Sequence, residues 1–379
     1  MVNSFVPLHI ISLLSRAKTN GVLLLFAVLT LWTVQLTRAD PAGTLINPRW
    51  FHTATVLADG RVLLAGGVIQ NGATDSCEIY NPATNAWTKT GSLNGARWFH
   101  SAVLLTDGRV LAAGGRDVAG FQNKTCEIYD PASGTWSFTK ALLNDPSGNL
   151  VLLGDGRVLA AGGGQLATNC QLYDPVTGTW SVTGNLNVGR SGFQATRLDD
   201  GRVLIAGGIH AHSPGFAGET ELYDPVSGTW SLSGMLNRAR YRHEQVLLAD
   251  GRVLVAGGAV GRPDSQTITR IAEIFDPNTG IWTLTHPLTI PRADFTANLL
   301  SDGNVFAAGG NNGDPNEALT SIEEFEPAAG RWHLLTTTLA MPRRNHTATT
   351  LLDGSVLVSG GIGNIQRLVP DAEIFVMPP

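Results

Sequence analysis

The pair Gly-Gly recurs seven times along this 379-residue chain, at 66–67, 114–115, 162–163, 207–208, 257–258, 309–310 and 360–361. The first glycines are 48, 48, 45, 50, 52 and 51 residues apart. A period near fifty leaves few architectures open, because one such unit cannot bury its apolar face alone and must stack on copies of itself. Each pair closes the same phrase. The first copy runs from Arg49 through His52, Asp59 and Gly60 to Gly67, and the last from Arg343 through His346, Asp353 and Gly354 to Gly361. A second phrase follows, Glu78-Ile-Tyr80-Asn-Pro82 to Trp87, and it recurs up to Trp136, Trp180, Trp230, Trp282 and Trp332. The seventh copy opens at Glu373-Ile-Phe375, and no tryptophan follows it.

These phrases translate into strands. Asp-Gly between aliphatic runs is a strong hairpin signal, here read as a two-residue turn needing positive φ. All seven units carry it, so each opens with strands one and two. Gly-Gly ends strand two where another backbone comes close. Glu-Ile-Tyr is strand three, a Pro-containing turn follows, and Trp begins strand four. No helical period is visible after residue 40. The expected fold is therefore all-β, a seven-bladed β-propeller of four-stranded antiparallel blades, with a six-bladed ring as the alternative. Seven units with six tryptophan strands leave one blade short. Leu45 precedes Arg49 by four residues, as Leu93 precedes Arg97, so residues 41–46 are predicted to supply the missing strand and remove two sheet edges. Unit three is irregular: Asp145 stands for the Arg and Gly148 for the His.

Gly-Gly, then Glu-x-Tyr-Asp-Pro, then Trp, resembles the kelch motif of bacterial-type, galactose-oxidase-like repeats, and the resemblance spans residues 45–379. It implies blades around a central channel, with partners docking on the mouth formed by the strand 2–3 loops and the strand 4–1 connections.

The first forty residues differ. Arg16 and Lys18 precede an uncharged run from Gly21 to Leu36, and Thr37-Arg38-Ala39 follows. Residues 1–39 read as a signal peptide cut after Ala39, with an uncleaved signal-anchor as the alternative. Residues 40–379 are then secreted, periplasmic or at the cell surface, and a membrane is a partner only if the segment stays. The formal net charge of -5 and the absence of a basic stripe give no nucleic-acid surface. Cys77, Cys126 and Cys170 precede the same repeat position, too far apart to pair. They are expected as buried thiols between units.

Repeated residues serve packing; recognition belongs where the units differ. The repeated arginines (Arg49, Arg97, Arg190, Arg240, Arg292, Arg343) are expected to bond carbonyls or a carboxylate of the next blade, not an anionic ligand. His52, His100, His243 and His346 share a position with Phe193 and Phe295 and are read as packed rings. The candidate ligand-binding residues lie on the mouth loops: Trp50, Trp98, Tyr241, Arg242, Asp294, Arg344 and Asn345 on the 4–1 connections. Arg116, Asp117, His210 and Asn311 follow the glycine pairs, as do Gln165 and Asn312. Aromatics with Arg anchor protein interfaces and, with Asn and Asp, also suit a sugar. The long loops 209–220, 259–272 and 311–322 are neighbours that form a wall. Among kelch-type enzymes, a copper-radical oxidase needs a Tyr, a cross-linking Cys and further Tyr and His ligands; here only Tyr241 lies outside the repeated positions. His210-Ala-His212 is imaginable as a metal site, with His243 nearby, but two histidines on a Gly/Pro loop are more often solvated. No cofactor, metal or catalytic residue is assigned. The expected function is a non-catalytic module recognising a protein or carbohydrate ligand. The alternative is a carbohydrate-active enzyme, sialic-acid mutarotase-like or oxidase-like.

Overall fold

A computed structural model describes residues 38–144, 149–163, 167–210 and 215–376. Residues 1–37, and with them the leader, lie outside the described residues, as do Asp145, Gly148, Gln165 and His212. The chain forms seven four-stranded antiparallel sheets. Blade 1 runs Thr53–Val56, Val62–Ala65, Cys77–Asn81 and Ala86–Thr90 from the channel outward. Blades 2 to 6 repeat this order. Each innermost strand touches the next, and Thr347–Thr350 of blade 7 returns to Thr53–Val56 of blade 1, so the ring closes.

Burial explains the strand composition. Every residue of Val62–Ala65, and of its counterparts Val110–Ala113, Val203–Ala206 and Val253–Ala256, is buried. A second strand is covered by blades on both sides, so its sequence is continuously aliphatic. The outer strands alternate: in Thr179–Val182 only Trp180 is buried. That tryptophan packs on Tyr173 of its own blade at 5.1 Å between ring centroids, and the same pair recurs in six blades, with Phe275 and Phe325 as the partner in blades 5 and 6. Cys77, Cys126 and Cys170 are free and buried, each in a cluster shared with the following blade.

Three local expectations are revised. The Asp-Gly hairpin has a three-residue loop: Leu57 N–H bonds Arg61 carbonyl, and only Gly60, at φ 84°, is left-handed. The Asp serves as an acceptor instead, since Asp59 takes the Arg61 amide at 3.1 Å and its guanidinium at 2.7 Å. The strand that pairs with Asp371–Val376 is Arg38–Thr44, not 41–46. It ends early because the amides of Ile46 and Asn47 turn to Glu78, both at 2.8 Å. Outer strands begin one residue before Trp, as at Ala86.

The glycine pair is steric. A Cβ on Gly66 would stand 2.6 Å from the Arg97 carbonyl and 2.9 Å from the His100 ring, both of the next blade. A Cβ on Gly67 would meet the Trp50 carbonyl at 2.7 Å. The first approach crosses the blade junction and the second packs strand two against the connection that opens its own blade, which is why the pair recurs in every unit.

Candidate functional site

The site is built on the 4–1 connections, whose lower half is a clasp. Arg49 Nη2 meets Glu78 Oε1 at 2.7 Å with both side chains fully buried. Its Nη1 bonds the carbonyls of Gly66 and Ser76. The same pair occurs as Arg97–Glu127, Arg190–Glu221, Arg240–Glu273, Arg292–Glu323 and Arg343–Glu373. The carboxylate therefore belongs to the same blade, not the next, because strand three lies directly beside the connection that carries the Arg. What crosses the junction is the Glu, which also accepts the amides arriving from the previous blade's outer strand. Blade 3 has neither partner: Gln171 replaces the Glu and takes the Leu143 amide at 2.7 Å. A neutral amide avoids an unpaired buried charge.

Two residues after each clasp arginine the backbone turns left-handed. Phe51, Phe99, Arg242, Asp294 and Asn345 have φ between 52° and 56°, and Gly192 fills the position in blade 4. Their amides form a girdle around the channel. Asp294 N–H donates to Arg242 O (3.4 Å), Asn345 to Asp294 O (3.0 Å), Phe51 to Asn345 O (3.4 Å) and Phe99 to Phe51 O (3.3 Å). The girdle holds five side chains at the mouth in a conformation that costs roughly 1–2 kcal/mol for each non-glycine residue.

Those side chains divide into two sectors. On blades 1 and 2, Trp50, Phe51, Phe99 and Trp98 stack in sequence, at 4.0, 3.6 and 4.9 Å between centroids. Phe99 is 47% exposed, and Val118 and Phe121 on the loop of the same blade are exposed too. Arg116 lies over Trp98 at 5.9 Å. On blades 5 and 6, Arg242 stacks on Tyr241 at 5.1 Å and reaches Asp294 at 3.5 Å, while Asn311 donates to Asp294 at 3.0 Å. Burial pushes the Asp294 carboxyl up, against Arg242, Arg344 and Asn311, which hold it down. A cavity of about 450 Å³ opens between the rings, lined by Phe51, Phe99, Phe193, Arg116 and Asn345.

The remaining expected residues take supporting places. Asp117 accepts the Ala119 and Phe121 amides and shapes its own loop. His210 pairs with Glu219 at 3.0 Å and stands apart from the girdle. Arg344 bonds the Pro315 carbonyl. Phe51, Phe99 and Glu244 were not singled out from sequence; the signal that finds them is their offset from the clasp Arg, two residues for the girdle and four for the channel wall.

Below the girdle lies a ring of histidines. His52, His100 and His346 bond Thr347, Thr53 and Thr296 of the preceding blade at 2.9–3.1 Å. Burial and the neighbouring arginines hold all four imidazoles down, His100 and His243 to about 3. Blade 6 carries Phe295 instead, so Glu244, in the position of those threonines, meets no imidazole. Among the described residues its carboxyl forms no hydrogen bond. Burial, with Asp294 nearby, pushes its carboxyl up to about 8.

The motif model "Kelch motif" matches residues 49–94 and 97–140. Two kelch motifs thus lie in blades 1 and 2, and the fold is that of a β-propeller. No curated protein sequence matches the chain. Among solved structures, this propeller is similar to a fungal alcohol oxidase of the AA5 family in complex with copper, with 18% identity and a TM-score of 0.73 over 90% of this chain and 76% of that one. The likeness is one of fold. Among the described residues no three His, Cys, Asp or Glu converge as metal ligands. The three thiols are buried between blades, where burial pushes each up to about 11. Three of the histidines spend Nε2 on threonine.

Proposed function

We propose that this kelch propeller is an extracytoplasmic, non-catalytic binding module that holds a protein or glycan at the girdled mouth. The observation that carries this reading is the girdle itself. Five left-handed, side-chain-bearing residues differ from blade to blade, above a clasp and a histidine ring that are repeated. Glycine satisfies the same backbone in blade 4, so packing does not require Phe, Arg, Asp or Asn there. Stored strain of this kind gathers at ligand clamps. An aromatic sector facing an ion-paired sector offers apolar anchors and orienting polar groups to one ligand. The test is an array of glycans and secreted proteins probed with the purified protein. Binding that disappears with Phe99→Gly and Arg242→Ala, in folded variants, supports the mouth; binding untouched by both contradicts it.

A second reading, a kelch-type carbohydrate-active enzyme, is favoured by Glu244. A carboxyl protonated near neutral pH beside a second carboxyl suits acid–base work on a sugar. Turnover of a free sugar that is lost with Glu244→Gln would establish it in place of the first.

A further inference from the structure

We infer that the groove between the upper loops of blades 7 and 1, off the channel axis, is a second binding site that takes an acidic oligosaccharide through the uronate carboxylate. This goes beyond the mouth and does not rest on it. The groove has a volume of about 680 Å³. Its floor is apolar, formed by Trp50, Ile69, Ile362 and Leu368, and its rim carries the side-chain amides of Asn47, Gln70, Asn71 and Gln366. Pro48, Pro370 and Arg367 complete the lining, and no acidic side chain takes part in it.

The groove exists because the two loops part. The blade 1 loop closes on itself as a small hairpin, Val68–Ile69 with Gly72–Ala73. The blade 7 loop leans the other way, onto blade 6: Ile365 N–H bonds the Asn316 carbonyl at 3.0 Å, and Asn364 Oδ1 takes the Ala318 amide at 2.8 Å. To do so it holds Ile365 and Gln366 at φ 51° and 56°. A β-branched residue there is a steric outlier, and Ile365 is 84% exposed, so no packing of its own side chain repays the conformation. The strain opens the cleft and sets Gln366 and Arg367 on its edge.

The chemistry of the lining selects the occupant. Arg367 is exposed and forms no ion pair among the described residues, so its planar guanidinium is available for a bidentate carboxylate. Trp50 has one neighbour ring, Phe51 at 4.0 Å, and also lines the groove. A pyranose offers an apolar face to such an indole and hydroxyls to four amides that both donate and accept. A uronate adds the one carboxylate that Arg367 lacks. An acidic peptide would satisfy Arg367 yet leave most of the amide rim without matching hydroxyls.

The test is calorimetric titration of the full chain with a defined oligogalacturonate, with a neutral galacto-oligosaccharide and poly-glutamate as comparison ligands. Oligogalacturonate is expected to bind, at least about tenfold more weakly to Arg367→Gln, with part of that loss restored by Arg367→Lys. Phe99→Gly, on the mouth, should leave it unchanged. No binding of oligogalacturonate overturns the inference. So does equal affinity in Arg367→Gln, or a loss on Phe99→Gly alone, which would place the sugar at the mouth. Poly-glutamate binding as tightly, with the same Arg367 dependence, would replace the saccharide with an acidic peptide.

Discussion

Arg97 and Phe99 stand two residues apart on one connection, and they answer to different demands. Arg97 is fully buried and clasps Glu127 at 2.5 Å, as its counterparts do in five other blades. Phe99 is left-handed and 47% exposed, and its counterparts are Phe, Gly, Arg, Asp and Asn. The first position is what a blade needs in order to join its neighbour. The second is a socket whose backbone is shared by the six blades in which that position is described and whose side chain is free to vary. A propeller of this kind separates its frame from its mouth within a single turn of chain.

The division can be broken most forcefully at the frame. Replacing Arg240 by Ala strands Glu273 in the interior and should cost about 3–5 kcal/mol in equilibrium unfolding. An effect under 1 kcal/mol would mean that the clasp is not structural. Blade 3 gives the converse. Gln171→Glu adds a buried carboxylate with no clasp arginine in its unit, and a loss of about 2 kcal/mol or more is expected at neutral pH, easing as the pH falls and the group protonates.

Titration sharpens the comparison further down. The buried histidines have depressed values, so from about pH 6.5 down toward 3 the unfolded chain binds protons that the folded chain refuses, and stability falls with pH. Each histidine steepens that fall by up to about 1.4 kcal/mol per pH unit. Among the described residues neither ring nitrogen of His243 makes a well-formed hydrogen bond, the Ala206 backbone being its one polar neighbour, and Phe stands at its position in blades 4 and 6. His243→Phe should therefore shallow the acid slope without loss at pH 7, whereas His100→Phe also forfeits the bond to Thr53. Glu244 runs the other way. Its raised value means stability is fully present below the ordinary carboxylate range and declines as pH rises toward about 8. Glu244→Gln should remove that decline, and an unchanged pH profile would show the carboxyl to be ionised in the folded protein.

The repeat frame was legible in the sequence because each unit repeats its packing residues: seven Asp-Gly turns, seven glycine pairs and six tryptophans place strands without further information. Trp98, Tyr241, Arg242, Asp294 and Asn345 could be placed at the mouth for the same reason, since they break the repeat beside it. Three things were not legible. The clasp partner depends on which strand lies beside the connection, a fact of the folded blade. The end of the closing strand depends on two amides that Glu78 draws away. Phe51 and Phe99 read as packing in the sequence, because a phenylalanine inside a repeated phrase shows its exposure only once its φ is known. Pairing at Arg38 and Ala39 adds a consequence: a cut after Ala39 would leave the closing strand to begin at Asp40, without its first two partners, Val376 and Phe375.

The separation of frame from mouth is tested most directly by the unfolding free energies of Arg97→Ala and Phe99→Gly measured side by side. The expected result is a loss of about 3–5 kcal/mol for Arg97→Ala and a change within about 1 kcal/mol for Phe99→Gly, where relief of the left-handed strain offsets the lost ring contact. Comparable losses in the two variants would contradict the account, because the girdle would then be part of the frame.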